Sequence, residues 1–128
     1  MIYVDTSVAL AQLLAEDRRP PESLWQETLV SSRLLEYEVW TRIHARRLAK
    51  SHSEVVRDLL ASLAFIELVP TVLARALEPF PTKVRTLDAL HLASLLFLRE
   101  RDNSIALASY DDRQRAVARR LRIPLVDL

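Results

Sequence analysis

The sequence predicts an α/β fold in which a mostly parallel sheet is sandwiched between helices. Three observations carry that prediction. Short apolar runs alternate with helix-length stretches along all 128 residues, the alternation that builds parallel sheets. The strand candidates are short and mostly apolar, as strands buried on both faces are. No composition boundary, solenoid-length repeat or low-complexity tract interrupts the pattern, so residues 1–128 are expected to form a single domain.

The elements follow in order. Residues 2–4, IYV, read as the first strand, and TSVALAQLLAE behind them as a helix. The double proline at 20–21 breaks the chain and starts a further helical piece, PESLWQE. LVSS at 29–32 is the second strand, followed by a long helix over roughly 33–49. Ser51 and Glu54 stand at capping-box spacing at the head of the next helix, 51–64. FIELV at 65–69 is expected as the third strand, ended by Pro70, with TVLARALEPF as a short helix behind it. PTKVR links to a helix over roughly 86–101, and IALAS at 105–109 is the fourth strand. DDRQRAVARRLR is the last helix and PLVDL a final short strand.

Composition narrows the chemistry. The formal net charge of +1 argues neither for nor against nucleic acid, although arginines outnumber lysines sixteen to two. Arginine suits bidentate phosphate contacts, and codon usage accounts for such a bias equally well. The absence of cysteine excludes disulfides, zinc–thiolate sites and thiol catalysis. The absence of glycine excludes the glycine-built phosphate loops. The start, MIYVDTS, lacks the basic segment and long apolar run of a secretory signal. No apolar run approaches the length of a membrane span. A cytoplasmic protein is the expectation.

Two acids stand directly after apolar strands: Asp5 after IYV, and Asp111, with Asp112 beside it, after IALASY. Ligands of open parallel sheets bind outside the carboxyl ends of the strands, where the strand order reverses. If the first and fourth strands are neighbours, Asp5 and Asp111 share one crevice. Helix N-capping would account for either acid alone. Asp88, in TLDALHLAS, is harder to place, because with His91 and Ser94 it forms a narrow polar strip on an otherwise apolar helix. A buried carboxylate without a partner is costly, so Asp88 needs an arginine or a metal cation. His91, one turn further on, reads as a donor behind the site or a packed imidazole rather than a ligand.

The fourth candidate lies in SSRLLEYEVWTRIHARRL, where Glu36 and Glu38 point to nearly opposite sides of a helix. Small and apolar neighbours leave room for a pocket beside Glu38, whereas Glu36 is placed to pair with Arg47. Four acids without cysteine or a ligand-type histidine pair describe a hard oxygen site suited to Mg²⁺ or Mn²⁺. Such ions activate water and stabilise both oxygens of an in-line phosphodiester displacement.

Asp5 in YVDTS, Glu38 in EYEVWTRI, Asp88 in RTLDALHLAS and Asp111 in LASYDDR together resemble the PIN domain. More narrowly, they are similar to the VapC toxins of bacterial and archaeal toxin–antitoxin pairs. The similarity runs over essentially the whole chain, to the terminal RIPLVDL. It implies a three-layer α/β/α sandwich with a short, mostly parallel central sheet, and a Mg²⁺- or Mn²⁺-dependent endoribonuclease. It implies that Asp5, Glu38, Asp88 and Asp111 coordinate the metal, that Thr6 and Ser109 support the site, and that Asp112 is an auxiliary acid. It further implies an RNA substrate, a homodimer and a cognate antitoxin protein that blocks the acidic pocket. The doublet Glu36/Glu38 departs from the family pattern and leaves the second acid open between the two.

Two alternatives within the same fold are a housekeeping PIN-domain ribonuclease and a non-catalytic PIN-like interaction module. A Mg²⁺-binding signalling receiver shares the architecture, but needs an acid pair on the first strand and a lysine near the last. Here Asp5 stands alone, and Lys50 and Lys83 lie elsewhere. Setting the four acids aside leaves 13 acidic against 18 basic residues, a surface of about +5 that favours a polyanion. The groups Arg42/Arg46/Arg47 and Arg113/Arg115/Arg119/Arg120/Arg122 are candidate phosphate contacts or simply solvated helix faces.

Overall fold

The computed structural model describes residues 1–128. Strands β1 (Ile2–Val4), β2 (Leu29–Ser32), β3 (Ala64–Ile66) and β4 (Ala106–Ala108) form one parallel sheet in the order β3-β2-β1-β4. Six helices flank it: α1 (Thr6–Leu14), α2 (Leu34–Ala45), α3 (Ala49–Ala61), α4 (Pro70–Ala76), α5 (Thr86–Arg99) and α6 (Asp112–Arg120). Successive strand side chains point to opposite faces. Val4, Leu29 and Ala108 enter a core with Val8, Val39 and Val56 from α1, α2 and α3. Tyr3, Val30 and Leu107 enter a second core with Leu95 of α5 and Ala118 of α6. Strands β1, β2 and β4 thus feed two apolar layers, whereas the edge strand β3 adds only Phe65 to the first core. The result is the three-layer α/β/α sandwich.

The strand order also fixes where a site can form. The chain runs outward from β1 to β2 and β3, then returns to β4 on the other side of β1. First and fourth strands are therefore neighbours, with Val4 paired to Ala108 and Asp5 N–H donating to the Ala108 carbonyl at 2.9 Å. The reversal of strand order lies between the carboxyl ends of β1 and β4.

Several local expectations are corrected. β3 spans Ala64–Ile66, and Pro70, expected to end a strand, instead opens α4, where its missing N–H costs nothing. The Ser51/Glu54 capping box does not form. α3 already begins at Ala49, and the Ser51 hydroxyl donates back to the Leu48 carbonyl at 3.2 Å. PESLWQE contains a 3₁₀ turn, Glu22–Gln26, rather than an α-helix. The terminal PLVDL joins the sheet only through a bridge from Leu125 to Leu107. The start of α5 is less buried than its composition suggests, with Leu87 46% exposed. Without glycine, the left-handed conformations fall to Ala15, Arg47 and Arg122, at or just after the ends of α1, α2 and α6. No helix is long and apolar enough to cross a membrane.

Candidate active site

Asp5 leaves β1 as the N-cap residue of α1, yet its carboxylate makes no capping bond. Its Oδ2 instead accepts hydrogen bonds from Ser7 at 2.7 Å and Ser109 at 2.9 Å. Both hydroxyls accept in turn from the loop after β4, Ser7 from Tyr110 N–H and Ser109 from Asp111 N–H, each at 3.0 Å. The neighbouring strands thus lock one buried carboxylate in place, and its Oδ1 takes no protein hydrogen bond.

Glu38 reaches the same end of the sheet from α2. Its Oε1 accepts from the Thr6 hydroxyl at 2.8 Å and lies 2.5 Å from His91 Nε2, while Oε2 has no protein partner. Glu36 points away and joins a surface network through Arg33, at 3.2 Å, that extends to Glu67. Its expected pairing with Arg47 does not occur, because Arg47 has already left the helix in a left-handed conformation.

Asp88 lies in the first turn of α5 and Asp111 at the N-terminus of α6. Asp111 Oδ1 caps that helix, accepting from Arg113 N–H at 2.9 Å and Gln114 N–H at 3.3 Å. Arg85 spans the two acids, 3.3 Å from Asp88 Oδ2 and 3.6 Å from Asp111 Oδ2. Gln114 ties α6 to the Asp88 carbonyl at 3.3 Å. Asp112 is exposed and faces a separate recess with Arg19, Arg115 and Asp127. His91 is buried and meets the Tyr3 hydroxyl at 2.8 Å through Nδ1 and Thr6 at 3.2 Å through Nε2.

The electrostatics follow from this crowding. Partial burial raises the Asp88 pKa, Arg85 opposes that shift, and the charges of Asp111 and Asp5 add to it. Burial works against a charge on His91, but the bond to Glu38 and the fields of Asp5, Glu38 and Asp88 outweigh it and raise its pKa. Burial, then the Asp5 charge, pushes the Tyr3 hydroxyl upward.

Cations surround the acids. A recess of about 760 Å³ beside Asp111 is lined by Ser7, Arg18, Arg42, Arg46 and Tyr110. Another of about 640 Å³ holds Lys83, Arg85 and Arg113 around Asp88. Arg115 is engaged with the Ser109 carbonyl. As they stand, no three acidic or histidine side chains converge closely enough to cage a metal ion. The donor set nevertheless suits one, being all carboxylate, with free oxygens on Asp5 and Glu38 and an exchangeable guanidinium between Asp88 and Asp111.

Comparison with known families gives a match to the PIN domain over residues 2–120. The chain belongs to the PIN domain family. PIN domains are typically metal-dependent ribonucleases, which agrees with an acidic cleft at the carboxyl ends of β1 and β4. No curated protein matches the chain. In this PIN domain, sequence reasoning did not single out Tyr3, Ser7 or Arg85. Tyr3 looks like a strand core residue, although a buried phenol needs a hydrogen-bond partner. Ser7 and Arg85 carry a weaker signal, lying two residues after Asp5 and three before Asp88.

Proposed function

We propose that this PIN domain is a Mg²⁺- or Mn²⁺-dependent endoribonuclease, and that residues 1–128 act as a single nuclease domain. The observation that carries the reading is the approach of four carboxylates from four different elements to one end of the sheet, inside a rim of arginines. Asp5, Glu38, Asp88 and Asp111 would hold the metal. When bound, the metal supplies an activated water and charge stabilisation for in-line hydrolysis of a phosphodiester. Ser7 and Ser109 hold Asp5, Thr6 and His91 hold Glu38, and Arg18, Arg42 and Arg46 are available to phosphates flanking the cleft. Cleavage breaks the P–O3′ bond and leaves 5′-phosphate and 3′-hydroxyl ends. Asp112, outside the cluster, is at most an auxiliary contact.

The finer reading is a VapC-type toxin of a type II toxin–antitoxin system, acting on cytoplasmic RNA as a homodimer and neutralised by an antitoxin protein. Its support is the resemblance of the four acid motifs, taken in order along the chain. A housekeeping ribonuclease is the second reading, since the same cleft would serve either role.

The test incubates the purified protein with structured RNAs, with and without Mg²⁺ or Mn²⁺, alongside Asp88→Asn. Cleavage that requires the metal and is lost in the variant is expected; cleavage that persists in EDTA, or an unaffected variant, overturns the mechanism. Growth arrest on expression, relieved by the product of an adjacent small gene, separates toxin from housekeeping enzyme.

A further inference from the structure

We propose that Tyr3 and His91 form a buried positioning relay that fixes the orientation of Glu38, with a hydrogen-bond polarity set by the Glu38 carboxylate, which can only accept. The proposal rests on Glu38 being a working acid of the site.

The polarity follows from donor and acceptor counting. Ser32 N–H donates to the Tyr3 hydroxyl at 3.2 Å, so that hydroxyl oxygen already accepts one bond. At the other end, His91 Nε2 lies 2.5 Å from Glu38 Oε1. A carboxylate only accepts, so Nε2 carries a proton. In the neutral imidazole Nδ1 is then the acceptor, and Tyr3 donates its hydroxyl proton to it across 2.8 Å. With a neutral imidazole the chain of donors runs from Ser32 through Tyr3 and His91 to Glu38. A protonated imidazole also keeps a proton on Nε2, so the donor facing Glu38 is the same in both charge states.

Burial gives this order its force. Tyr3 is 0% exposed and His91 2% exposed, and an unpaired polar group at either position carries a full desolvation cost. Tyr3 packs with Val30, Leu95 and Leu107, where phenylalanine would fill the same space without the hydroxyl. The relay links β1, α2 and α5 at one point. Together with Thr6, which donates to the same oxygen, it engages Oε1 of a flexible glutamate and leaves Oε2 turned to its own use. Two donors on one oxygen restrict torsions that solvent would otherwise leave free.

The test uses the full chain. Long-range ¹H–¹⁵N NMR of the metal-free protein is expected to find a proton on His91 Nε2, and a neutral tautomer carrying it on Nδ1 overturns the relay. His91→Gln can place an amide donor at the reach of Nε2, whereas His91→Asn reaches only as far as Nδ1. Mn²⁺ affinity is expected to fall about 10–100-fold in His91→Asn and to stay within a few-fold of wild type in His91→Gln. Tyr3→Phe, which preserves volume, is expected to fall between them. Thermal melts establish that each variant is folded. Equal losses in the Asn and Gln variants reduce His91 to packing and overturn the proposal. Wild-type protein that neither binds Mn²⁺ nor cuts RNA defeats the nuclease reading, while the imidazole proton, read without metal, still decides the relay.

Discussion

The inner half of the cleft, around Asp5 and Glu38, and the outer half, around Asp88 and Asp111, hold their carboxylates by different chemistry. The inner acids are gripped through one oxygen each by the hydroxyls of Ser7, Ser109 and Thr6 and by the His91 imidazole. The outer acids share the guanidinium of Arg85, whose side chain is 66% exposed. Short hydrogen bonds between buried and part-buried groups set direction. A solvent-screened ion pair contributes at most about 1 kcal/mol and exchanges readily. The inner pair is therefore fixed in geometry, while the outer pair meets exchangeable charge at the Oδ2 atoms that face Arg85, with Asp111 Oδ1 still held by the cap of α6.

The largest expected effect strikes the inner half. Asp5→Asn keeps an acceptor for Ser7 and Ser109 but loses the charge, so RNA cleavage is expected to fall by about 100-fold or more. That figure lies at or beyond the range for residues that merely support metal ligands. A melting temperature near wild type, measured alongside, shows that the fold has survived; near-normal cleavage would break the comparison.

A smaller effect is expected at Arg85. Replacing it by glutamine removes the cation that competes for Asp88 and Asp111, and calorimetric Mn²⁺ titration is expected to show binding tighter by about fivefold or less, the equivalent of one exposed ion pair. Weaker binding would instead mean that Arg85 props the two acids into position.

The smallest effect concerns stability in EDTA. Because the Asp88 pKa is raised above its ordinary 3.8, the folded chain keeps this proton to higher pH than the unfolded chain. Stability contributed by the protonated acid is present below the ordinary pKa and is lost as pH rises through the raised one. Asp88→Asn is expected to flatten that slope and to raise the metal-free melting temperature slightly at neutral pH. Melts across roughly pH 3 to 6 read it directly; an unchanged profile would mean that Arg85 compensates the charge in full.

Much of this architecture is legible in the sequence, because each layer is written as a local pattern. Apolar triplets followed by Asp5 and by the SYDD stretch mark strand ends, and a leucine-rich helix with one carboxylate marks Asp88. Pairings across the chain are not written locally. Tyr3 and His91 meet over 88 positions, a contact that exists only once β1 and α5 pack together. Spacing separates Glu36 from Glu38, but the turn of α2 about its own axis decides which one meets Thr6. Boundaries shift for local reasons too. Pro70 starts a helix as readily as it ends a strand, and the entry into α3 comes too early for Ser51 to cap it.

The left-handed residues carry one more consequence. Ala15, Arg47 and Arg122 each hold a backbone conformation that costs a side-chain-bearing residue about 1 kcal/mol and glycine almost nothing. A protein written without glycine therefore keeps an unused margin of thermal tolerance at three helix exits, none of them one of the four carboxylates. The greater freedom glycine brings to the unfolded chain offsets part of that margin. At these three exits, unlike at Asp88, stability can be gained without replacing a carboxylate of the site.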